Sequence, residues 1–273
     1  MDFFAKVLRV LDTSMTTPVG YGWFHIMWWV IVLAAAVGLC IWHRHGGSSR
    51  RVTNVVFAVA ITVLVLEVYK MINFGFSYED GVRFEFPWGS FPWQFCSTPM
   101  YVGLLAGIIR KGKVHDALCA YLATFAIFAG AAVMVYPGDV FISTIGINIQ
   151  TMICHGSMIT VGIYLLYSGH VKLEHKTILK ALPVFVTVLV IAMIMNEIAH
   201  ANGMDGFNMF YISPHEPGHL PVYSNVQAVV PYPWSLVLYI WGFTTAAYLM
   251  LVIGMGVRGL GRYLFGKKAM KIV

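Results

Sequence analysis

Residues 178–200 read ILKALPVFVTVLVIAMIMNEIAH, an apolar run that ends in a group of polar side chains. The run is long enough to cross a bilayer as a helix, which takes about 20 residues. Its polar residues Asn196, Glu197 and His200 stand together at one end, although ionisable groups are costly in hydrocarbon and are retained there for a purpose. The stretch therefore predicts a transmembrane helix that carries a polar site at one end.

The rest of the chain repeats this pattern. Of its 273 residues 59% are hydrophobic and only 11% are charged, a composition that soluble domains do not have. We predict an all-α, polytopic membrane bundle that forms a single domain over residues 1–273. The runs are too long for the alternating strands of about 10 residues found in a membrane barrel. The seven transmembrane helices are expected at 22–42, 52–73, 93–110, 114–136, 148–169, 178–200 and 233–256.

The basic residues predict the orientation of the bundle. Most of the 18 Lys and Arg residues lie in the segments that follow predicted helices one, three, five and seven. The four that do not are Lys6, Arg9, Lys70 and Arg83. The positive-inside rule therefore places the segments after these helices in the cytoplasm. The N-terminus is then outside a cell membrane and the C-terminus is cytoplasmic. The net charge of +6 reflects this topology and contact with anionic lipid, and we predict no nucleic-acid partner.

Three segments lie outside the predicted helices on the outer side. Residues 1–20 contain no long apolar stretch before a cleavage site, and we expect a short amphipathic segment on the membrane surface. Residues 74–92 and 201–232 form two longer outer loops. Long irregular loops are often lids over a functional site, but these two also fit caps with aromatic anchors at the interface.

Polar side chains from five predicted helices collect at the outer end. They are His25, Glu67, Lys70, Asn73, Cys96, His155, Asn196, Glu197 and His200. Residues three or four apart share a helix face, so Glu67 lies beside Lys70 and Asn196 beside His200. Glu67 and Lys70 also fit a neutralised structural pair, and His25 fits an interfacial anchor. The pattern predicts one site in the outer half of the bilayer, around Cys96 and His155.

Cys96 and His155 are the residue types that form a nucleophile and its base. Cys96 stands at the predicted start of helix three, where the helix dipole favours a thiolate. Other readings stay open, namely a buried thiol beside a hydrogen-bonded core histidine, or a disulfide between Cys96 and Cys154. Cys40 and Cys119, toward the inner ends, are expected to be buried packing residues.

The segment His215-Glu216-Pro217-Gly218-His219 matches the metalloprotease string H-E-x-x-H. That string binds zinc only on a helix, which its proline and glycine oppose. A looser zinc site in this loop, together with His200, stays an alternative. For the main site we predict no metal and no cofactor.

Three segments together resemble the bacterial YwaF-like integral membrane proteins, a family related to animal transmembrane protein 164. The segments are Phe91-Pro-Trp-Gln-Phe-Cys96-Ser97, Cys154-His155-Gly156, and the block from Asn208-Met209 to Pro231-Tyr232-Pro233-Trp234. The resemblance covers most of the chain. It places the cysteine of the family's first motif at Cys96 and the His-Gly of its second at His155 and Gly156. The clearest departure is Gln94, where the family usually has histidine.

The animal relative is described as a lipid acyltransferase that works through a cysteine acyl-enzyme, so the resemblance implies that reaction here. Membrane lipids would be the acyl donor and acceptor. Cys96 would be the nucleophile, His155 the general acid and base, and Gln94 an oxyanion donor. The supporting residues are Asn196, Glu197 and His200, any of which is expected to orient His155, together with Glu67, Lys70 and Asn208.

Two other classes of protein stay open. One is a transporter or ligand-sensing membrane protein with a buried solute or proton site. Its residues would be Glu67, Lys70, Glu197 and His200. The other is a metal-dependent membrane hydrolase or metal-binding protein. Its residues would be His155, His200, His215 and His219.

Overall fold

A computed structural model describes residues 3–78 and 81–269. Over these residues the chain is almost entirely helical, which confirms the all-α class. The helices are α1 Phe3–Leu11, α2 Trp23–Arg44, α3 Ser49–Gly75, α4 Thr98–Ile109, α5 Lys113–Leu122, α6 Phe125–Val135, α7 Ile145–Tyr167, α8 Thr177–Ala201, α9 Tyr223–Val229 and α10 Trp234–Ala269. A two-residue hairpin, β1 Phe76–Ser77 and β2 Arg83–Phe84, pairs Phe76 with Phe84.

Six segments of the described chain are long and apolar enough to cross a membrane. They are α2, α3, α5 with α6, α7, α8, and α10 as far as Gly261. They match six of the seven predicted spans and make the chain a multi-pass membrane protein. The count of seven and the orientation stay predictions.

The predicted span 93–110 differs from the structure. Its helix, α4, has 12 residues and is about 18 Å long, short of the roughly 30 Å hydrocarbon core. Residues 91–97 form turns, so Cys96 lies just before the helix and not inside it. Pro99 explains the late start, because proline is tolerated in the first turn of a helix but clashes in its interior.

The predicted span 114–136 is divided into α5 and α6. Thr124 leaves the helical conformation at φ −133° and ψ −80°. Its hydroxyl donates to the Ala120 carbonyl at 2.7 Å, in competition with the regular backbone ladder. The break lets the two halves of the span turn different faces toward the centre of the bundle.

The α7 helix and the α5–α6 span form the centre of the bundle. In each, 72% of the apolar window is buried, against 22–33% in the other spans. The α7 helix packs against α6, α2 and α3. Glycines allow the close approach, because a Cβ at Gly130 would overlap the His155 carbonyl and one at Gly156 would overlap Val32. His155 is buried at this close contact between α6 and α7.

The bundle has two chemically different ends. At the end we call the basic end, the connections 45–48, 110–112 and 168–176 meet, and His170 contacts both Ser49 and His115. At the opposite end, which we call the polar end, α3 and α8 finish and α7 begins. The two predicted outer loops lie there. Residues 74–92 contain the hairpin, although Glu79 and Asp80 are outside the described residues, and 201–232 contain α9.

The predicted surface segment at the N-terminus is helix α1. It buries Ala5 and Leu8 and exposes Phe3 and Val10, as an amphipathic helix does. Its last carbonyl, that of Leu11, accepts a hydrogen bond from the Tyr69 hydroxyl at 2.7 Å. The helix is therefore docked onto α3 at the polar end.

We expect Gly130→Ala to destabilise the protein by about 1–3 kcal/mol, because the added methyl group forces α6 away from the His155 carbonyl. Gly242→Ala on α10 is the matched control, since a Cβ there meets no atom within 4 Å. That change should stabilise by roughly 0.5–1 kcal/mol through helix propensity. Thermal unfolding in detergent compares the two, and equal midpoints would contradict this account of the packing.

Candidate functional site

A buried charge network lies where α3 meets α7. Glu67 is only 5% exposed and forms an ion pair with Lys70 one turn later. Gln150 of α7 donates to the other Glu67 oxygen at 3.1 Å and lies 3.3 Å from the Cys154 sulfur. The structural pair predicted from the sequence is thus present, with Gln150 as a partner that sequence reasoning missed. The sequence feature that could have identified Gln150 is its position four residues before Cys154, which places both on the same face of α7.

Cys96 lies in the turn that precedes α4. Its thiol is free and half-buried. Met100, in the first turn of α4, packs with Val63 of α3 and Cys154 of α7, so the start of this helix adjoins the residues of the network. The position at the N-terminal end of a helix agrees with the prediction, although the residue is outside the helix proper. The structure therefore places Cys96 beside the charge network.

His155 is buried in α7 and is held by its own helix. Its Nδ1 lies 2.8 Å from the Thr151 carbonyl, which can only accept, so Nδ1 carries the proton in the neutral ring. Its Nε2 is buried and has no hydrogen-bond partner among the described residues. A buried polar atom without a partner is uncommon and calls for an explanation. The free Nε2 lone pair is the one that a general base uses.

Cys96 and His155 belong to the same region but are not hydrogen-bonded to each other in the described part of the chain. The sequence left open whether the two side chains touch, and the hydrogen bond that a nucleophile and its base need is not formed in this conformation. Catalytic hydrogen bonds are often long without substrate and shorten when it binds, so the roles of the two residues stay predictions.

Asn196, Glu197 and His200, which were expected to orient His155, contact the 201–232 loop in the described part of the chain. Both ends of the Asn196 side-chain amide bind the Met209 backbone, at 3.0 and 2.7 Å. Glu197 pairs with His215 at 3.1 Å, and the His200 ring stacks on His215 at 3.6 Å. The end of α8 thus directs these side chains toward the 201–232 loop, because the loop folds back over it.

Gln94 also binds this loop. Its Nε2 donates to the Asn208 carbonyl at 3.0 Å, and the Phe210 N–H donates to its Oε1 at 2.9 Å. Phe210 and Tyr211 have φ angles of 60° and 55°, a left-handed conformation that costs non-glycine residues about 1–3 kcal/mol each. Gln94 helps to hold this strained turn, a role that the sequence did not predict. Its role as an oxyanion donor stays a prediction.

The strained turn at Phe210 packs against Phe95, the residue that precedes Cys96. The Phe210 ring lies 5.8 Å from the Phe95 ring, which also contacts Phe128, Phe185 and Phe243. Asn208, predicted as a supporting residue, accepts from the Ser213 N–H at 2.9 Å and stabilises the same loop. The loop therefore covers the polar end of the bundle, an arrangement that both the lid and the cap interpretation of its length predict.

Other sequence-based alternatives fail in the described residues. All four cysteines are free, so the Cys96–Cys154 disulfide is not formed. Residues 215–219 are not helical. Within residues 3–78 and 81–269, the histidines of this loop do not form a three-ligand metal site. His25 binds the Met134 carbonyl at 2.9 Å, as expected of a structural anchor.

An apolar groove leads toward the site from the side of the bundle. It lies between α2 and α3, has α7 as its floor and a volume of about 500 Å³, within the usual range for ligand sites. Its lining includes Ala35, Leu39, Val59, Thr62, Met152 and Gly156. A small cavity of about 30 Å³ shares Val59 and Val63 with the groove and is also lined by Cys154 and Pro99. It therefore lies between the groove and the start of α4.

We expect Lys70→Met to cost about 3–5 kcal/mol, because it leaves the Glu67 carboxylate buried without its counter-ion. The double variant Glu67→Gln, Lys70→Met should recover most of this loss. Exposed Lys180→Met is the control and should leave the stability unchanged. Unfolding midpoints in detergent measure all three, and a Lys70→Met protein as stable as the parent would show that the pair is not a buried one.

Comparison with known proteins adds the family. No curated protein and no solved structure matches the chain. The model of the TMEM164 family matches residues 20–254, a range that includes Cys96, His155 and the covering loop. The relation to transmembrane protein 164 that the sequence motifs suggested is thereby confirmed: the chain belongs to the TMEM164 family.

Proposed function

We propose that this protein is a membrane-embedded acyltransferase that moves a fatty acyl group between lipids through a thioester on Cys96. The observation that carries the proposal is a free, half-buried thiol in the turn before α4, in a chain that belongs to the TMEM164 family. A helix N-terminus favours the thiolate, which is the nucleophilic form, whereas burial opposes it, so the mechanism gives the thiol a base. The family resemblance supplies both the reaction class and the candidate residues.

The first half-reaction forms the acyl-enzyme. The Cys96 thiol gives its proton to the free Nε2 of His155, and the thiolate attacks the ester carbonyl of a donor phospholipid. The ester C–O bond breaks, and the departing lysolipid oxygen takes the proton from His155. The products are a Cys96 thioester and a lysolipid. This sequence requires Cys96 and His155 to approach each other when the donor binds.

The second half-reaction discharges the acyl-enzyme. A hydroxyl group of the acceptor lipid gives its proton to His155 and attacks the thioester carbonyl. The C–S bond breaks, and the Cys96 sulfur recovers the proton from His155. The acyl chain has then moved from one oxygen to another, and the protein returns to its initial state without a cofactor.

The lateral groove fits the hydrocarbon part of such a substrate. Its walls are almost entirely apolar, and it lies among segments that are long enough to span the bilayer. A lipid can enter a groove of this kind from the membrane without passing through water. We infer that the acyl chain occupies the groove while the ester reaches the start of α4 past the cavity at Cys154.

Intact mass spectrometry after incubation with total membrane lipid tests the acyl-enzyme. We expect a fatty-acyl mass adduct that hydroxylamine removes, because a thioester is labile to it. Cys96→Ala should carry no adduct. Cys40→Ala and Cys154→Ala are the controls and should keep it, since these variants retain the Cys96 nucleophile. An adduct that survives in Cys96→Ala, or none in the folded parent protein, would refute the mechanism.

Narrowing the groove tests the route of the acyl chain. We expect Thr62→Trp to slow adduct formation by about tenfold or more, because small misplacements of a substrate can cost about 100-fold. Ile61→Trp is the matched control, since Ile61 is also exposed on α3 but does not line the groove. Equal rates for the two variants would show that the chain lies elsewhere.

A further inference from the structure

A second polar cluster lies at the basic end, far from the Cys96 region along α7. His115 and Cys119 are one turn apart on the same face of α5, and His170 reaches them from the connection between α7 and α8. The Nε2 atoms of His115 and His170 are 2.8 Å apart, and the Cys119 sulfur is 3.5 Å from His115 Nε2. One ligand atom from each residue fits within a 4.8 Å span.

His115 is oriented as a metal-binding histidine is. Its Nδ1 lies 3.0 Å from the Ala106 carbonyl of α4, and a carbonyl only accepts, so Nδ1 carries the proton. The Nε2 lone pair then points at Cys119 and His170. A backbone carbonyl on the far ring nitrogen is the usual outer partner of a ligating histidine, because it fixes the ring and the tautomer.

We propose that His115, Cys119 and His170 bind a single zinc-class divalent ion at the basic end of the bundle. Two imidazoles and a thiolate are ligands that zinc prefers. Bond lengths of about 2.0–2.1 Å to nitrogen and 2.3 Å to sulfur put tetrahedral ligand atoms roughly 3.3–3.7 Å apart. The 3.5 Å separation already fits, and the two Nε2 atoms need to separate by about 0.5 Å. The third separation, between the Cys119 sulfur and His170, lies within 4.8 Å and has to shorten to this range, a movement that the half-buried His170 side chain on its connecting loop allows.

Binding releases one proton, because the Cys119 thiol gives its hydrogen to water and the sulfur becomes a thiolate ligand. Three protein ligands leave the fourth tetrahedral position for a water molecule. His115 and Cys119 are buried, whereas His170 is half-buried on a connecting loop, so the ion enters from that side. The charge of Asp116 also acts on His170, which adds an attraction for a cation.

The ion would join three parts of the fold. His115 is fixed to α4 through Ala106, Cys119 belongs to α5, and His170 lies between α7 and α8. Bound metal would therefore tie the connection 168–176 to the centre of the bundle. This site does not involve Cys96 or His155 and is independent of the proposed acyl transfer.

Cobalt titration of the tag-free, metal-stripped protein in detergent tests the proposal. Co²⁺ is the probe because a tetrahedral thiolate site gives it intense visible absorption and a sulfur charge-transfer band. We expect about one equivalent to bind and to be displaced by Zn²⁺. Cys119→Ser should abolish the charge-transfer band, and His170→Asn should weaken binding at least about tenfold, the scale of metal-site substitutions.

Cys40→Ser is the matched control, since Cys40 is another free cysteine near the basic end and should leave the spectrum unchanged. His170→Asn changes a connecting loop, so it keeps the test valid if Cys119→Ser does not fold. Absence of stoichiometric Co²⁺ binding by the folded parent protein would overturn the proposal. So would a charge-transfer band that survives in Cys119→Ser, or one that disappears in Cys40→Ser.

Discussion

The ion pair of Glu67 with Lys70 is the constraint around which the polar end is organised. A carboxylate on a membrane-spanning helix is costly unless its charge is balanced and its oxygens are hydrogen-bonded. Lys70 meets the first need and Gln150 contributes to the second. This fixes the rotation of α3 against α7 and thereby the position of Cys154. Cys154 in turn packs with Met100 in the first turn of α4, so this contact also positions the helix that Cys96 precedes.

Much of the fold follows from the sequence because the bilayer restricts the choices. Apolar length alone located six spans within a few residues, and the clustering of polar residues located the region of the site. The span 93–110 was too long in the prediction because hydropathy does not register the steric effect of Pro99. The break between α5 and α6 at Thr124 was not predicted for a similar reason. The hydrogen bond from its hydroxyl to the Ala120 carbonyl is a local interaction that hydropathy does not show.

The partners of the site residues were less predictable. Gln94 and Asn196 bind a loop more than 100 and more than 10 residues away, respectively, at backbone atoms that carry no sequence signature. The Nδ1 of His155 is hydrogen-bonded to the Thr151 carbonyl of its own helix, and the residues expected to orient it contact the 201–232 loop. Helix periodicity says which residues share a face, but the facing segment depends on how the helices rotate when they pack. Cys119 is buried in the core as predicted, but periodicity did not show that His170 lies beside it and His115.

The irregular turn at 91–97 has a consequence for how the protein is made. Backbone outside helices and strands leaves N–H and C=O groups that surrounding protein or water has to satisfy. Around Phe95 that protein is aromatic, and two of its contacts, Phe185 and Phe243, belong to α8 and α10. Both are synthesised long after the turn itself has left the ribosome. The turn around Phe95 can therefore complete its aromatic contacts only after the C-terminal half of the chain has been synthesised. A chain that stops before α10 lacks the contact from Phe243 beside Cys96.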